Sequence, residues 1–338
     1  MKKWALYLIF TLFSNINYAN AKPTRIILGG HFFADLYTEL HKTGITGAKG
    51  KRTAFSVERF RLNLKAEISE KWQFVSRIQM KNGQDAFLRS AYVRAKNIFV
   101  SQDMLMAGTF SNFYKYYIYR HTSTRWLNKL GLHDIEQDYN LNGESAALRY
   151  VYTPENFKFG IDLINGEESS KTDTAASADN TNNRIAYALY LSHKIGVQTF
   201  HLFYTATPKS TYQNGSNFNS SIPARNTTAF DYTLNMGMLD LIAEYDLHSD
   251  GAGHKPSRIH FTADFSYAEN QSFFVSFNKD DDDEAGDQSE SKVFGYILGP
   301  VFKLENGLKT AVSYRFQSYE LSSEADEKTL AWNFEAKF

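Results

Sequence analysis

The sequence predicts an all-β fold, a transmembrane antiparallel β-barrel of about 16 strands with short periplasmic turns and long extracellular loops. Three observations predict it. Residues 329–338 alternate between apolar and polar side chains with a period of two. Segments of this kind recur along the chain, and the connections between them alternate between short and long. Residues 1–21 have the pattern of an export signal.

The segment 329–338 carries the clearest membrane pattern. One face, with Trp332 and Phe338, suits lipid, whereas the other, with Asn333 and Lys337, suits water. The printed chain ends on Phe338, and this aromatic residue resembles the assembly signal of bacterial outer-membrane barrels. A half-buried strand of a soluble sheet is the alternative that this segment alone leaves open.

The composition of the 338 residues excludes several classes. Without Cys there is no disulfide framework and no thiol catalysis. Acidic and basic residues balance at 37 each, which argues against non-specific binding of nucleic acid. The mean hydropathy of −0.43 is too polar for a helical membrane protein. Aromatic residues make up 15% of the chain, as expected for strands with interfacial girdles.

The first residues form a three-part signal. Lys2 and Lys3 precede an apolar run over 4–13, and Ala19 and Ala21 form a small-x-small cleavage site. The apolar run is too short to span a bilayer as a helix. We therefore expect a signal peptide over 1–21, cleavage after Ala21 and a mature barrel over 22–338. With no Cys at this junction, no lipoprotein anchor is expected.

Sixteen candidate strands follow from alternation in the mature part. Short connections such as 69–70 and 236–237 alternate with long ones such as 112–144 and 207–227. Short turns at one rim and long loops at the other are typical of an outer-membrane barrel with both ends in the periplasm. Because lipid offers no hydrogen-bond partner, the sheet has to close, so the first strand is expected beside the last. A barrel of about 16 strands is wide enough to hold water.

Several stretches in the first third resemble one family of channels. They are 29–35 (GGHFFAD), 55–64 (FSVERFRLNL), 90–93 (SAYV) and 106–110 (MAGTF). These stretches resemble the phosphate-selective porin O and P family over about residues 25–115. The resemblance implies a 16-stranded trimeric channel with an inward-folded third loop. It does not imply phosphate selectivity, because the arginine ladder and lysine cluster of that family could not be placed in this sequence.

The long third loop, about 112–144, is rich in Tyr and then acidic at Asp134, Glu136 and Asp138. Its length and position predict a constriction loop folded into the lumen, because long loops without a role are uncommon. A surface loop that caps the barrel remains the alternative.

Charges on the polar phase of the strands are unevenly distributed. Basic positions on the second and third strands are Arg59, Arg61 and Arg77, with Lys65, and either Arg89 or Arg94 on the fourth. Acidic positions on the tenth to twelfth strands are Asp231, Asp240, Glu244, Asp246 and Asp264. In a ring of 16 strands these two walls face each other and predict a transverse field across the lumen. Charges that merely solvate a wet lumen are the alternative. Arg59, Arg61, Arg77, Asp134, Glu136 and Asp138 are the predicted constriction residues.

These features predict a porin without enzymatic activity or cofactor, which passes small hydrophilic solutes or ions. Expected partners are outer-membrane lipid, lipopolysaccharide and two further copies in a homotrimer, with no nucleic acid. A barrel enzyme of the protease or phospholipase type is an alternative, because His248, His254 and His260 cluster in sequence near acidic residues. An adhesin acting through the long loops is another. The acidic run over 280–284 lacks the spacing of an EF-hand loop, and a solvated loop or a divalent-ion bridge to lipid remains open.

Overall fold

The fold was derived from a computed structural model, which describes residues 25–42, 53–80, 86–111, 113, 144–165, 185–208, 210–214, 218–222, 224–250, 253, 255–282, 291–305, 307–319 and 326–338. Within these ranges, no helix is long and apolar enough to cross a membrane.

The described residues form 18 strands. In chain order they are β1 (Arg25–Lys42), β2 (Thr53–Glu67), β3 (Trp72–Met80), β4 (Phe87–Lys96), β5 (Asp103–Ser111), β6 (Glu144–Tyr152), β7 (Phe157–Asn165), β8 (Ile185–Ile195), β9 (Gln198–Thr207), β10 (Ser210–Asn214), β11 (Phe218–Ile222), β12 (Arg225–Asn235), β13 (Leu239–Asp250), β14 (Ser257–Ala268), β15 (Gln271–Asp282), β16 (Ser291–Glu305), β17 (Leu308–Tyr319) and β18 (Glu327–Lys337). Sixteen of them form one closed antiparallel barrel, which confirms the predicted fold class and strand number.

The barrel closes between its first and last strands, as predicted. β1 pairs with β18 from His31 opposite Lys337 to Lys42 opposite Glu327, and on its other side β1 pairs with β2. Every barrel strand therefore has two hydrogen-bonded neighbours, and the sheet has no free edge.

Alternation along the strands separates an apolar outside from a polar inside. On β13, Glu244, Asp246 and His248 are buried, whereas Tyr245 and Leu247 between them are 41% and 42% exposed. Successive side chains of a strand point to opposite faces of the sheet. In a closed barrel the buried polar set therefore faces the lumen, and the exposed apolar set faces outward.

The connections confirm the two-sided loop pattern where they are described. Residues 68–71, 153–156, 196–197, 236–238 and 269–270 are short links at one end of the barrel. The predicted loop over 207–227 contains a feature that the sequence analysis missed, because β10 and β11 pair there as a separate two-stranded hairpin. Alternation over only five residues in each strand is too short to separate such a hairpin from a loop.

One carboxylate organises the turn between β4 and β5. Asp103 accepts hydrogen bonds from the backbone N–H groups of Ile98, Phe99 and Val100 at 2.7, 2.8 and 3.0 Å. The turn places Asn97 at a φ of 54° and Gln102 at 73°, conformations that non-glycine residues rarely adopt. The carboxylate therefore holds a strained turn in place.

We expect Asp103→Ala to destabilise the barrel by about 1–3 kcal/mol, because three N–H groups lose a charged acceptor. Asp103→Asn keeps one acceptor oxygen and should fall between the wild type and Asp103→Ala. The midpoint of urea unfolding in detergent measures the effect, with Glu269→Ala in the exposed β14–β15 turn as the control. An unchanged midpoint for Asp103→Ala would show that the turn does not depend on this carboxylate.

Phe338 is packed onto the first strand of the barrel. Its backbone N–H donates to the Gly30 carbonyl at 3.1 Å, and its carbonyl accepts from the Gly30 N–H at 2.7 Å. The aromatic ring covers Gly30 so closely that an added Cβ there would lie 2.3 Å from the ring Cζ. The ring centroid of Phe338 lies 6.5 Å from that of Phe60 on β2. Phe338 thus ties the last strand to the first two.

Phe338→Asp is expected to reduce the amount of folded, heat-modifiable protein in the outer membrane. A charge on the lipid face is unfavourable to a degree that depends on its depth in the bilayer, and the ring contacts are lost as well. Gly30→Val should partly reproduce the defect by displacing the ring, whereas Phe338→Trp should retain assembly. Outer-membrane fractions run on gels with and without heating measure the folded species. Wild-type amounts of Phe338→Asp would refute a role of this residue in closing the barrel.

Candidate functional site: two charged walls inside the barrel

The predicted basic positions share the inward face of neighbouring strands. Arg61 on β2 lies opposite Gln79 on β3, and Asn63 lies opposite Arg77. Arg59 has the same phase as Arg61, and all three arginines are partly exposed. We call these three residues the arginine wall. The structure therefore brings together the three basic residues predicted for the constriction.

Neutral amides orient these guanidinium groups. Arg61 Nε donates to Gln79 Oε1 at 2.7 Å, and Arg77 Nε donates to Asn63 Oδ1 at 2.8 Å. An amide oxygen accepts such a bond without cancelling the positive charge, as a carboxylate would. These hydrogen bonds thus fix the direction of the arginine side chains, and the neutral amides do not cancel the positive charge of the guanidinium groups.

A β-bulge adds two more arginines to the same face. The β3–β4 register shifts between Arg77 and Ile78, so the strand β4 gains one residue there. As a result Arg89 reaches Gln79 on β3, while Arg94 donates from Nε to Gln73 Oε1 at 3.1 Å. Strict alternation allows one of these two arginines to face inward, and the bulge explains why both do.

The predicted acidic residues also share one inward face, which we call the acidic wall: Asp231, Asp240, Glu244, Asp246 and Asp264. Asp231 on β12 lies opposite Glu244 on β13, and Asp240 lies opposite Asp264 on β14. β13 lies eight strands from β3 in both directions around the ring. The acidic wall therefore faces the arginine wall across the barrel.

Arg258 on β14 was not among the predicted site residues, yet it lies at the centre of the acidic wall. It pairs with Asp246 at 2.6 Å and also with Glu244. Asp280 on β15, its cross-strand neighbour, adds a further carboxylate to the same face. Arg258 is one of the alternate residues of β14 that face inward, so its inward position could have been predicted from the sequence pattern. Its pairing depended on cross-strand register, which one sequence does not reveal.

The two walls differ in their access to water. Asp231, Glu244 and Asp246 are at most 5% exposed, and Arg258 is 2% exposed. Arg59, Arg61 and Arg77 are all partly exposed. Much of the acidic charge is therefore enclosed and partly neutralised by Arg258, whereas the arginine wall is more open to solvent.

A second buried ion pair lies on β6 and β7. Arg149 Nε and Nη2 donate to the two carboxylate oxygens of Asp162, each at 2.6 Å, and both side chains are fully buried. Arg149 Nη2 also donates to the Ser111 carbonyl at 2.8 Å, at the end of β5. The pair links the start of the long third connection to the barrel wall. The acids Asp134, Glu136 and Asp138 of that connection lie outside the described residues.

The histidines considered for an enzyme make hydrogen bonds to hydroxyl groups. His248 Nδ1 lies 3.0 Å from Thr227 Oγ1, and His260 Nε2 lies 3.1 Å from both Ser276 Oγ and Thr262 Oγ1. Ser276 is fully buried, so its hydroxyl is closed to a substrate carbonyl in this arrangement. His254 lies outside the described residues. Within the described ranges, no group of three or more His, Cys, Asp or Glu residues is arranged to hold a metal ion.

Comparisons with known proteins agree on the fold. No family model matches the chain, and no curated protein matches it by sequence. Among solved structures, the chain is similar to an anion-selective porin from Comamonas acidovorans, with a TM-score of 0.70, 11% identity and coverage of 93% of this chain and 100% of that one. For Pseudomonas putida OprB the TM-score is 0.68, with 11% identity over 93% of this chain and 94% of that one. For the trimer form of the outer membrane protein OmpT of Vibrio cholerae the TM-score is 0.63, with 11% identity over 94% of this chain and all of that one. At these identities the likeness concerns the fold, a porin-like barrel.

Proposed function

We propose that the protein is an outer-membrane porin that forms a water-filled channel for passive diffusion of small hydrophilic solutes or ions. The observation that carries the proposal is the pair of charged walls inside a closed 16-stranded barrel with an apolar exterior. Such a barrel hides its backbone polar groups from lipid and leaves a polar interior for water. The signal peptide predicted over 1–21, which lies outside the described residues, supports export to the outer membrane.

Anions are the solutes that the arginine wall favours within this proposal. Five arginines on β2, β3 and β4 face inward, and at least four of them are held by Gln or Asn side chains. The opposed acidic wall supports a transverse field that orients polar solutes. Asp134, Glu136 and Asp138 are proposed to face the arginine wall from the third loop.

The proposed assembly is a homotrimer embedded in outer-membrane lipid and lipopolysaccharide. Its support is the similarity to the trimer form of OmpT of Vibrio cholerae. The enzyme alternative is disfavoured, because barrel proteases and phospholipases resemble barrels of ten to twelve strands, fewer than the 16 found here. An adhesin role of the long loops would be compatible with the channel.

Conductance across a planar bilayer tests the proposal. Purified, folded protein should insert in discrete steps and conduct ions. In a salt gradient, the sign of the reversal potential should indicate a preference for anions. Heat-denatured protein from the same preparation is the control. Folded protein that inserts into the bilayer but does not conduct would contradict the channel. A reversal potential of the cationic sign would contradict only the proposed preference for anions.

A further inference from the structure

Asp231 on β12 is an enclosed carboxylate of the acidic wall. Its side chain is 3% exposed. Within the described residues, neither of its carboxylate oxygens accepts a hydrogen bond. Arg258, the guanidinium of the same wall, pairs with Glu244 and with Asp246. Asp231 therefore differs from most enclosed carboxylates, which are stabilised by hydrogen bonds or by a countercharge.

The neighbours of Asp231 on both sides are set by cross-strand register. Asp231 lies opposite Glu244 on β13 and opposite His201 on β9. Residues paired in this way have Cα atoms about 4.5–5.5 Å apart, so the three buried side chains lie side by side on the inward face. Glu244 adds a second carboxylate, whereas His201 Nδ1 lies 2.8 Å from the hydroxyl oxygen of Tyr190. Asp231 thus has an acid on one side and a hydrogen-bonded imidazole on the other.

Two enclosed carboxylates that lie side by side favour the binding of a positive charge. Loss of hydration penalises each anion, and the repulsion between Asp231 and Glu244 adds to this penalty. Arg258 offsets only part of it, because its guanidinium contacts Glu244 and Asp246. The two oxygens of Asp231 are acceptors, so a positively charged donor would supply both a hydrogen bond and a countercharge.

The ligand that fits this pair is small and carries N–H or O–H donors. Asp231 and Glu244 are at most 5% exposed, which leaves no room for a bulky cation. Calcium takes about six to eight oxygen ligands, and within the described ranges no three acidic or imidazole groups are arranged to hold a metal ion. An ammonium group, by contrast, is satisfied by hydrogen bonds to two carboxylates. A proton meets the same need, because it turns one carboxylate oxygen into a donor.

We propose that Asp231 and Glu244 form a site that takes one additional positive charge from the lumen, carried by a small ammonium ion or by a proton. The site goes beyond the proposed function, because binding at the wall does not require that the protein conducts. In a conducting protein, occupation of the site reduces the negative charge of the acidic wall at the level of this pair.

Urea unfolding in two salts tests for the ammonium ion. Purified, folded protein in detergent is unfolded in methylammonium chloride and, at equal ionic strength and pH, in tetramethylammonium chloride, whose nitrogen carries no N–H donor. A ligand that binds only the folded state stabilises it, so the wild-type midpoint should be higher in methylammonium. Asp231→Asn keeps the shape of the side chain and removes its charge, and this difference between the salts should disappear.

Infrared spectroscopy tests for the proton. In buffer without ammonium ions at neutral pH, the folded wild type should show the C=O stretching band of a protonated carboxyl group. The band should be absent from Asp231→Asn and should weaken in the wild type when methylammonium replaces the proton. It should remain in His201→Gln, because the proton is assigned to the carboxylate pair and not to the imidazole.

Asp240→Asn is the matched control for both measurements. Asp240 belongs to the same wall, but it is partly exposed and accepts a hydrogen bond from Asn235 Nδ2 at 2.6 Å. This variant should retain the wild-type difference between the two salts and the wild-type carboxyl band.

The two measurements together decide the inference. A salt difference that depends on Asp231 identifies an ammonium site, and a carboxyl band that depends on Asp231 identifies a proton site. If the wild type shows neither signal, or if the signals persist in Asp231→Asn, the inference is overturned. Both measurements use folded protein in detergent, so they can succeed with a protein that does not conduct and fail with one that does.

Discussion

Asp162→Ala is expected to lower the free energy of unfolding of the barrel by about 3–5 kcal/mol, because it removes the carboxylate from a fully buried ion pair. Arg149 would remain a buried cation, since a guanidinium keeps its charge in proteins. Its contacts with Phe110, Phe113 and the Ser111 carbonyl do not supply a negative charge. The loss of stability would therefore exceed the loss on breaking an ordinary surface ion pair, which is about 0–1 kcal/mol.

Urea unfolding of the folded protein in detergent, followed by the gel shift on heating, measures the effect. The double variant Arg149→Met with Asp162→Leu should recover much of the loss, because two apolar side chains leave no buried charge. Glu335→Ala is the matched control, since Glu335 pairs with Lys309 at 3.8 Å and both side chains are partly exposed. A midpoint for Asp162→Ala equal to that of Glu335→Ala would show that the buried pair does not stabilise the fold.

The same variant also bears on the third connection. Phe113 rests on the Arg149 guanidinium, so a guanidinium released from Asp162 would no longer hold the residues around position 112 in one place. Arg149 thus contributes both to the stability of the barrel wall and to the position of Phe113 at the start of the third connection.

The barrel could be predicted from the sequence because its signal is local and repeated. In a strand such as β14, the alternation of Ile259, His260 and Phe261 distinguishes the two faces without any knowledge of the neighbouring strands. The number of strands then followed from counting these alternating segments, and closure followed from the absence of hydrogen-bond partners in lipid. The inward position of the arginine and acidic walls followed from the same alternation.

Register was the part that the sequence could not supply. Arg149 and Asp162 are 13 residues apart, and only the offset of β6 against β7 brings them together. The bulge beside Arg89 likewise depends on one extra residue in β4, which no alternation pattern marks. The buried apolar cluster on the inner face of β6 to β9 was missed because its small residues, such as Ala186 and Ala188, alternate with larger outward side chains and carry no pattern of their own.

The arginine wall supplies the second large effect. The double change Arg59→Ala with Arg61→Ala is expected to shift selectivity towards cations and to enlarge the single-channel conductance. A unit charge at about 4 Å contributes roughly 4 kcal/mol to the energy of a passing anion at an effective dielectric constant near 20. Each removed side chain also frees volume beside the water path. Both effects act in the same place, so conductance and selectivity should change together.

Position along the pore decides the size of this shift. A charge at a wide, open rim is screened within about 8 Å at physiological salt, whereas charges in a narrow zone act on every ion that passes. The hydrogen bond from Arg61 to Gln79, at 2.7 Å, fixes this side chain on the inward face, so its charge keeps one position along the pore. Lys65→Ala on the same strand is the matched control, because Lys65 pairs with Glu67 at 2.7 Å and this pair is already neutral. Its removal should change the reversal potential little.

Reversal potential in a salt gradient and single-channel conductance measure the result in planar bilayers. Arginine remains charged at every ordinary pH, so its own contribution to the preference does not depend on protonation. Wild-type values of both quantities in the double variant would place Arg59 and Arg61 away from the narrow zone. The acids at Asp134, Glu136 and Asp138 would then lack a partner wall, and the third connection would have to be assigned to the surface. A shift in selectivity without a change in conductance would instead assign the arginines to the electrostatic lining, with the narrowest point of the pore elsewhere.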